Sequence, residues 1–228
     1  MKNVFVLCLL CAALLVSVPA FADITVGLPA DPGTGNCFPF GCAYSGEYQQ
    51  VYSQTQFSGP IKILDLEFFN TQINNNNTLM NSGTWTIYLS TSSADWNTLS
   101  STFANNLGAD NTLVFSGNLA QPWAFGDTLH ISLTTPFTYD PLMGNLLMDV
   151  VVSGATAPGG SIYFDTNGYN GGSFNGNTYL GRVYNAGAVN NGYGLVTGFS
   201  SIPEPGTLAL LGTGLIGVMG AVRRRLHI

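Results

Sequence analysis

Charge is scarce in this chain. Only 8% of its 228 residues are Asp, Glu, Lys or Arg, whereas about a quarter are charged in a typical soluble domain. Most of the basic residues lie near the two chain ends, so residues 23–202 keep only Lys62 and Arg182 against eleven carboxylates. Nucleic-acid binding depends on clustered Lys and Arg that neutralise phosphates. The composition therefore excludes this class of function.

Cysteine and histidine are also few. Cys8 and Cys11 lie in an apolar N-terminal run and are expected to be removed with it, which leaves Cys37 and Cys42 around a turn-prone tetrapeptide. A disulfide between them is predicted, because disulfides persist in oxidising compartments. Two thiols make only half of a zinc ligand set, and His130 is far away in sequence. The pair therefore favours a local disulfide over a metal or redox site.

The N-terminal segment, residues 1–22, has the three zones of an export signal. A positive residue precedes an apolar run and a proline, and the small residues Ala20 and Ala22 close the segment. This order predicts a signal peptide with an A-x-A site for signal peptidase, so that the mature chain starts at Asp23. A retained membrane helix is the alternative, but the apolar run is shorter than the ~20 residues that a span needs.

The C-terminal segment, residues 202–228, has three zones of its own. They are the Pro-Glu-Pro element (Pro203, Glu204 and Pro205), an apolar stretch over 207–222, and a basic cluster (Arg223, Arg224 and Arg225). As a helix the apolar stretch would be about 24 Å long, slightly less than a hydrocarbon core of ~30 Å. Lys and Arg stay on the cytoplasmic side of a membrane. The arginines therefore predict a short transmembrane helix with the body outside.

This order of parts resembles PEP-CTERM, the C-terminal sorting signal of exported Gram-negative bacterial proteins. The resemblance covers residues 203–228 and departs mildly at Ile202, where valine is commonest. It implies that a membrane-embedded exosortase recognises the Pro-Glu-Pro element, cuts near it by cysteine-dependent chemistry and releases the body from a transient inner-membrane anchor. The body would then reach the cell surface or the extracellular space, usually in organisms that make extracellular polysaccharide.

A permanent tail anchor is the alternative for the same segment. Small residues at Thr213, Gly217 and Ala221 recur at four-residue spacing, which is typical of helices that pack as dimers in membranes.

Residues 23–201 are predicted to form one all-β extracellular domain. Trp85, Ile87 and Leu89 alternate with polar residues, as half-buried strands require. Strands are predicted at 48–52, 61–69, 83–90, 113–116, 127–134, 146–152, 161–164, 180–184 and 195–199. Eight or nine antiparallel strands indicate a β-sandwich or jelly roll.

Two departures from regular alternation are visible. The phase of the pattern changes at Leu64, which predicts a β-bulge there. Leu99, Phe103 and Leu107 recur at every fourth residue before Gly108, which predicts one short helix of two to three turns.

The segment 48–149 also resembles the bodies of other proteins that carry this sorting signal. The resemblance lies in the runs at 48–52, 57–60, 101–110, 136–141 and 144–149. It implies an all-β extracellular domain and identifies no catalytic residue.

No catalytic set is visible in the sequence. A Ser-His-acid triad would need His130, yet no G-x-S-x-G elbow precedes it. Asp65 and Glu67 are neighbours on a predicted strand face, which among eleven carboxylates does not by itself indicate a glycosidase pair. We therefore expect no enzymatic activity.

Calcium is a better candidate cation than zinc, because an acidic, Asn-rich body offers mainly oxygen ligands. Asp165, Asn167 and Asn170 lie in one Gly-rich loop, but Gly168 is misplaced for an EF-hand. Turn formation explains these residues equally well, and no cofactor is expected.

Trp96 and Trp123 lie in polar or turn-like contexts. Exposed aromatic rings stack on sugars, but aromatic residues also plug the ends of sandwiches. The sequence thus predicts a noncatalytic structural or adhesive component of the cell surface or extracellular polysaccharide matrix. A carbohydrate-binding module is the alternative, followed by a secreted glycan-active enzyme.

Overall fold

The computed structural model describes residues 22–203, together with Gly212 and Gly214. The described chain is rich in β-strands, and every strand pair is antiparallel, which confirms the all-β class. The strands are β1 Ala22–Val26, β2 Gly35–Asn36, β3 Gly46–Tyr52, β4 Ile61–Phe69, β5 Ser82–Ser92, β6 Thr112–Gly117, β7 Thr128–Tyr139, β8 Asn145–Thr156, β9 Phe164–Asn167, β10 Tyr169–Asn170, β11 Ser173–Phe174, β12 Leu180–Tyr184, β13 Ala188–Asn191, β14 Gly194–Leu195 and β15 Thr197–Pro203. Two 3₁₀ helices span Gln54–Gln56 and Phe103–Asn106.

Two large sheets form the body. One has four strands in the order β1-β15-β4-β7, and the other has six in the order β13-β12-β3-β8-β5-β6. Phe68 and Leu129 from the four-stranded sheet share one hydrophobic core with Tyr48 and Ile87 from the six-stranded sheet. The two sheets therefore face each other across a single core, as the period-two alternation of apolar residues requires. β14-β9-β2 and β10-β11 form two small sheets.

The bulge in β4 lies where the sequence pattern changes phase. Against β15, the neighbours Ser200 and Ser201 pair with Asp65 and Ile63, which leaves Leu64 as the extra residue on β4. Against β7, the register shifts at the same place, where residues 133–136 lie opposite Leu64. The predicted β-bulge near Leu64 is confirmed.

β7 continues to Tyr139, five residues beyond its predicted end at 134. Pro136 lies within this extension, and proline usually ends a strand because it has no N–H to donate. It is tolerated on edge strands and at irregular pairings. β7 is an edge strand of the four-stranded sheet, and its register against β4 is irregular at this point.

The predicted helix of two to three turns around 99–107 is wrong. The described chain has only the single 3₁₀ turn Phe103–Asn106 there. Asn106 Oδ1 accepts a hydrogen bond from Ser100 N at 2.8 Å, and its Nδ2 donates to Ser100 O at 2.9 Å. A side chain that binds the backbone in this way competes with the helical hydrogen bonds. Leu99 is buried on the outer face of the six-stranded sheet, so it packs against a sheet and not along one face of a helix.

The two end segments are described only where they join the body. Ala22 is the first residue of β1 and Pro203 the last residue of β15. Among the residues in the described ranges, no helix is long and apolar enough to cross a membrane. The predictions for Ala20, Glu204, Pro205, the membrane helix over 207–222 apart from its two described glycines, and Arg223, Arg224 and Arg225 fall outside those ranges.

Candidate functional site

Both described chain ends leave the body at the same end of the sandwich. β1 and β15 are antiparallel, and Ala22 pairs with Ser201. Pro203 pairs with Ile61, and Ile61 pairs in turn with Tyr139 at the end of β7. We call this region, marked by these five residues, the Pro203 end.

The Pro-Glu-Pro element begins inside the sheet. Pro203 occupies the last register position of β15 opposite Ile61, and Ala22, the first described residue of β1, pairs with Ser201. Among the described residues, Pro203 therefore pairs with β4 alone. No linker separates the folded body from the first residue of the element.

Cys37 and Cys42 form the predicted disulfide. The backbone N–H groups of Gly41 and Cys42 both donate to Cys37 O, at 2.6 and 3.0 Å. The enclosed Phe40 is fully buried in the core, and Trp85 Nε1 donates to Pro39 O at 3.1 Å. The disulfide therefore fixes a turn that plugs the core.

The structure separates the two tryptophans that the sequence proposed for sugar stacking. Trp123 is only 5% exposed, meets Phe164 edge to face with ring centroids 5.7 Å apart and donates from Nε1 to Asn70 Oδ1 at 3.3 Å. Trp123 therefore plugs the core, and its ring is not available to stack on a sugar. Trp96 is half-buried and packs against the small cluster on the outer face of the six-stranded sheet.

The polar residues considered for catalysis form separate surface pairs. His130 Nδ1 lies 3.3 Å from Glu67 Oε1, and the His130 side chain is 61% exposed. Ser132 donates its hydroxyl to Asp65 Oδ1 instead of to His130. A serine activated by a histidine is not assembled at this position.

The loop proposed for Ca²⁺ uses its oxygens for structure. Thr71 N and Gln72 N both donate to Asp165 Oδ1, at 2.7 and 3.0 Å, and Thr71 Oγ1 donates to Oδ2 at 2.6 Å. Asn167 Oδ1 accepts from the Tyr179 hydroxyl, whereas Asn170 is exposed on β10. Within the described ranges, no three His, Cys, Asp or Glu side chains come together as a metal site.

A buried carboxyl group beside a half-buried one escaped the sequence analysis. Asp149 on β8 is 5% exposed, and its Oδ1 has no hydrogen-bond partner. Burial, together with the neighbouring Glu47 carboxylate, raises the pKa of Asp149 to about 7, and burial also raises the pKa of Glu47. The strand pattern could have indicated it, because Asp149 interrupts the apolar run of β8 at a central position.

Arg182 is a second buried charge that sequence reasoning missed. It is 2% exposed, and its guanidinium carbon lies 4.5 Å from the ring centroids of both Tyr184 and Tyr193. Nε donates to Asn190 Oδ1 at 3.0 Å, while Nη1 has no hydrogen-bond partner. Across the described part of the chain, no carboxylate forms an ion pair with it. Its charge is held mainly by aromatic faces.

An exposed aromatic pair lies on the β10-β11 hairpin. Tyr169 and Phe174 are each about two-fifths exposed, with ring centroids 5.6 Å apart. Phe174 also contacts the buried Tyr193 at 4.7 Å, which anchors the pair to the body. Neither ring was singled out from the sequence, because both lie in a Gly- and Asn-rich segment without strand alternation.

Comparisons with known proteins bear on the C-terminal segment. A search of curated proteins gave no match. A chain from a structure of infectious bursal disease virus Gx strain is similar at 15% identity and a TM-score of 0.24, over 90% of this chain and 49% of that chain. This chain spans about half the length of that one, and so low a TM-score supports no argument.

The family comparison addresses the Pro203 end directly. Residues 201–225 match the family model of the PEP-CTERM protein-sorting motif, so the match starts at Ser201 within β15. This motif marks exported proteins that hold a C-terminal membrane anchor before processing. The chain therefore carries a PEP-CTERM protein-sorting motif, which supports an exported protein that exosortase sorts.

Proposed function

We propose that the body is a noncatalytic structural or adhesive component of the cell surface or extracellular polysaccharide matrix. The observation that carries this proposal is the direct junction between β15 and the sorting motif, with Pro203 shared by both. Processing near this junction would deliver the whole sandwich outside the cell. Its function would then be that of a compact β-body.

The pairing of polar side chains at the surface of the body and at Asp165 supports a role without chemistry. His130 binds Glu67 and Ser132 binds Asp65, while three donors occupy the carboxylate of Asp165. These contacts tie neighbouring segments together. A reactive group would need a free partner at the same place.

The sorting step can be tested in the producing cells. We expect Pro203→Ala/Glu204→Ala/Pro205→Ala to leave the full-length chain membrane-bound, because proline and its preceding residue favour the extended backbone that a protease needs. Deletion of exosortase should have the same effect, and Asn74→Ala in an exposed loop is the matched control. An intact Arg223–Arg225 end on mature surface material would instead show a permanent anchor.

The noncatalytic role needs its own experiment. Purified exported protein should co-sediment with extracellular polysaccharide or cell surfaces, and deletion of the chain should weaken the cohesion of that material. Turnover of any polysaccharide that a single carboxylate substitution abolishes would overturn the proposal.

A carbohydrate-binding module is the second candidate, supported by the Tyr169–Phe174 pair. Exposed rings held by a buried neighbour are suited to stacking on sugar faces. A glycan array with the exported protein should then show specific binding that Phe174→Ala weakens at least several-fold. Phe125→Ala, at another exposed phenylalanine, is the matched control, and Trp96→Ala tests the half-buried tryptophan. An array without binding would reject the module.

A further inference from the structure

The most exposed large apolar side chains of the described body lie together at the Pro203 end. Leu142 is 87% and Met143 74% exposed, and they are adjacent in the loop between β7 and β8. β7 ends at Tyr139, which shares the register line of Ile61 and Pro203. The loop therefore projects from the end at which the sorting motif leaves the body.

The loop presents these two side chains in a fixed arrangement. Asp140 accepts hydrogen bonds from Leu142 N to its Oδ1 at 2.9 Å and from Met143 N to its backbone O at 3.0 Å. The Tyr139 hydroxyl donates to Gly144 O at 2.8 Å and closes the turn. The carboxylate of Asp140 is turned back toward the loop backbone, so the outermost groups of the loop are apolar.

A shallow apolar groove extends this surface. It has a volume of about 350 Å³, and its lining includes Phe57, Pro60, Pro141 and Leu142. The groove and the loop tip thus form one apolar surface, which we call the Leu142 surface.

The chain itself places a membrane next to the Leu142 surface. The apolar stretch 207–222 begins four residues after Pro203, and four residues span at most about 14 Å. Strands in a sheet lie about 4.8 Å apart, so Tyr139 is about 10 Å from Pro203 across β4. While the anchor is attached, the Leu142 surface therefore stays within a short distance of the bilayer.

We propose that the Leu142 surface rests on the outer leaflet of the membrane and inserts Leu142 and Met143 among the lipids until the anchor is cut. The inference rests on the sorting motif and not on the structural or adhesive role. A tether this short gives a high effective concentration of surface and bilayer, so two inserted side chains are enough to orient the body. After cleavage the same weak contact would release it.

A second copy of the chain is a less suitable occupant. Stable protein interfaces bury about 800 Å² on each partner, which two side chains and a shallow groove do not supply. The lipid surface needs no such area, because the anchor already holds it in place.

Lipid quenching of site-specific fluorophores tests the proposal on the exported chain with its sorting signal intact. The chain is reconstituted in phosphatidylcholine vesicles whose acyl chains carry bromine, which quenches only fluorophores at the bilayer. One dye is attached at Ser58→Cys, an exposed position beside the Leu142 surface. The matched dye is attached at Ala124→Cys, in the exposed loop before Thr128 at the opposite end of β7.

We expect strong quenching at position 58, none at 124, and at least a several-fold loss of quenching at 58 in Leu142→Ser/Met143→Ser. Leu28→Ser/Phe125→Ser, which removes two other exposed apolar side chains, should leave the quenching at 58 unchanged. Near-ultraviolet circular dichroism of each variant confirms folding. Equal quenching at 58 and 124 would overturn the proposal. A blue shift of the dye emission at 58 that appears only at high protein density and without lipid quenching would also overturn it, because it would indicate a second copy of the chain.

Discussion

Ser200 donates a hydrogen bond from its hydroxyl to the carboxylate of Asp23, with Oγ and Oδ1 2.8 Å apart. The bond joins the predicted first residue of the mature chain to the strand that leads into the sorting motif. β1 has its only sheet neighbour in β15 within the described sheet. The two ends of the body therefore stabilise each other.

A double-mutant cycle measures this coupling. We expect Ser200→Ala and Asp23→Ala each to lower the free energy of unfolding by about 0.5–1 kcal/mol, because the bond is charge-assisted but exposed. The double variant should lose little more than either single one in urea unfolding. Ser116→Ala lies far from this pair, so its effect on the free energy of unfolding should add to that of Asp23→Ala. Full additivity between Ser200→Ala and Asp23→Ala would refute the coupling.

Processing at the front of the chain can be read from the exported protein. N-terminal sequencing should begin at Asp23, because Ala20 and Ala22 provide the small residues that signal peptidase requires. The intact mass should rise by about 2 Da on reduction, since Cys37 and Cys42 are bridged in an oxidising compartment. A mass that reduction leaves unchanged would argue against the bridge in the exported protein.

The same disulfide should contribute to stability. Chain-entropy estimates for so short a loop give about 2 kcal/mol, and the loop positions the buried Phe40. We expect Cys37→Ser/Cys42→Ser to lower the free energy of unfolding by about that amount, and Phe40→Ala by about 3–5 kcal/mol. Urea unfolding with and without reductant measures the first effect, and identical curves would contradict it.

Asp149 should make stability fall as pH rises. Its pKa in the folded protein is about 7 against an ordinary 3.8, so the folded state keeps a proton that the unfolded state has lost between these values. Stability is therefore highest below about pH 4 with respect to this group, decreases as pH rises, and reaches its lower level above pH 7. The raised pKa of Glu47 has the same sign.

Asp149→Asn should remove most of this slope, because the amide carries no charge at any of these pH values. The melting temperature at pH 8 should rise by about 2–4 °C for each kcal/mol by which the substitution raises the free energy of unfolding. Glu47→Gln should flatten the slope partly, since it removes the neighbouring charge. An unchanged slope in Asp149→Asn, from thermal unfolding between pH 4 and pH 8, would contradict the assignment.

Arg182 should be harder to replace by lysine than by methionine. Lysine keeps the buried charge but cannot stack a planar group between Tyr184 and Tyr193, so we expect Arg182→Lys to cost about 1–2 kcal/mol. Methionine fills similar space and removes a charge that has no carboxylate partner, so Arg182→Met should stay within about 1 kcal/mol of the parent. Chemical denaturation measures both free energies of unfolding. An Arg182→Lys variant that is more stable than Arg182→Met would contradict the packing of the guanidinium group against the two tyrosine rings.

The sequence by itself determined what depends on neighbouring residues. The three zones of the C-terminal signal and the Cys37–Cys42 turn are local patterns. Strand alternation is local too, and the phase change at Leu64 exposed the bulge because side chains of a strand alternate between two faces. These features need no knowledge of which strands pair.

Only the tertiary structure decided what depends on partners far along the chain. Trp123 faces the core because Phe164 and Asn70 close over it, and Asn106 holds Ser100 in a loop where the sequence predicted a helix. The burial of Asp149 beside Glu47, and the meeting of Ala22, Leu142 and Pro203 at one end of the sandwich, follow from strand pairing between distant segments. The alternation of apolar residues in the sequence shows which side chains face the core, but the pairing of strands and the packing of the sheets decide which residues those side chains contact.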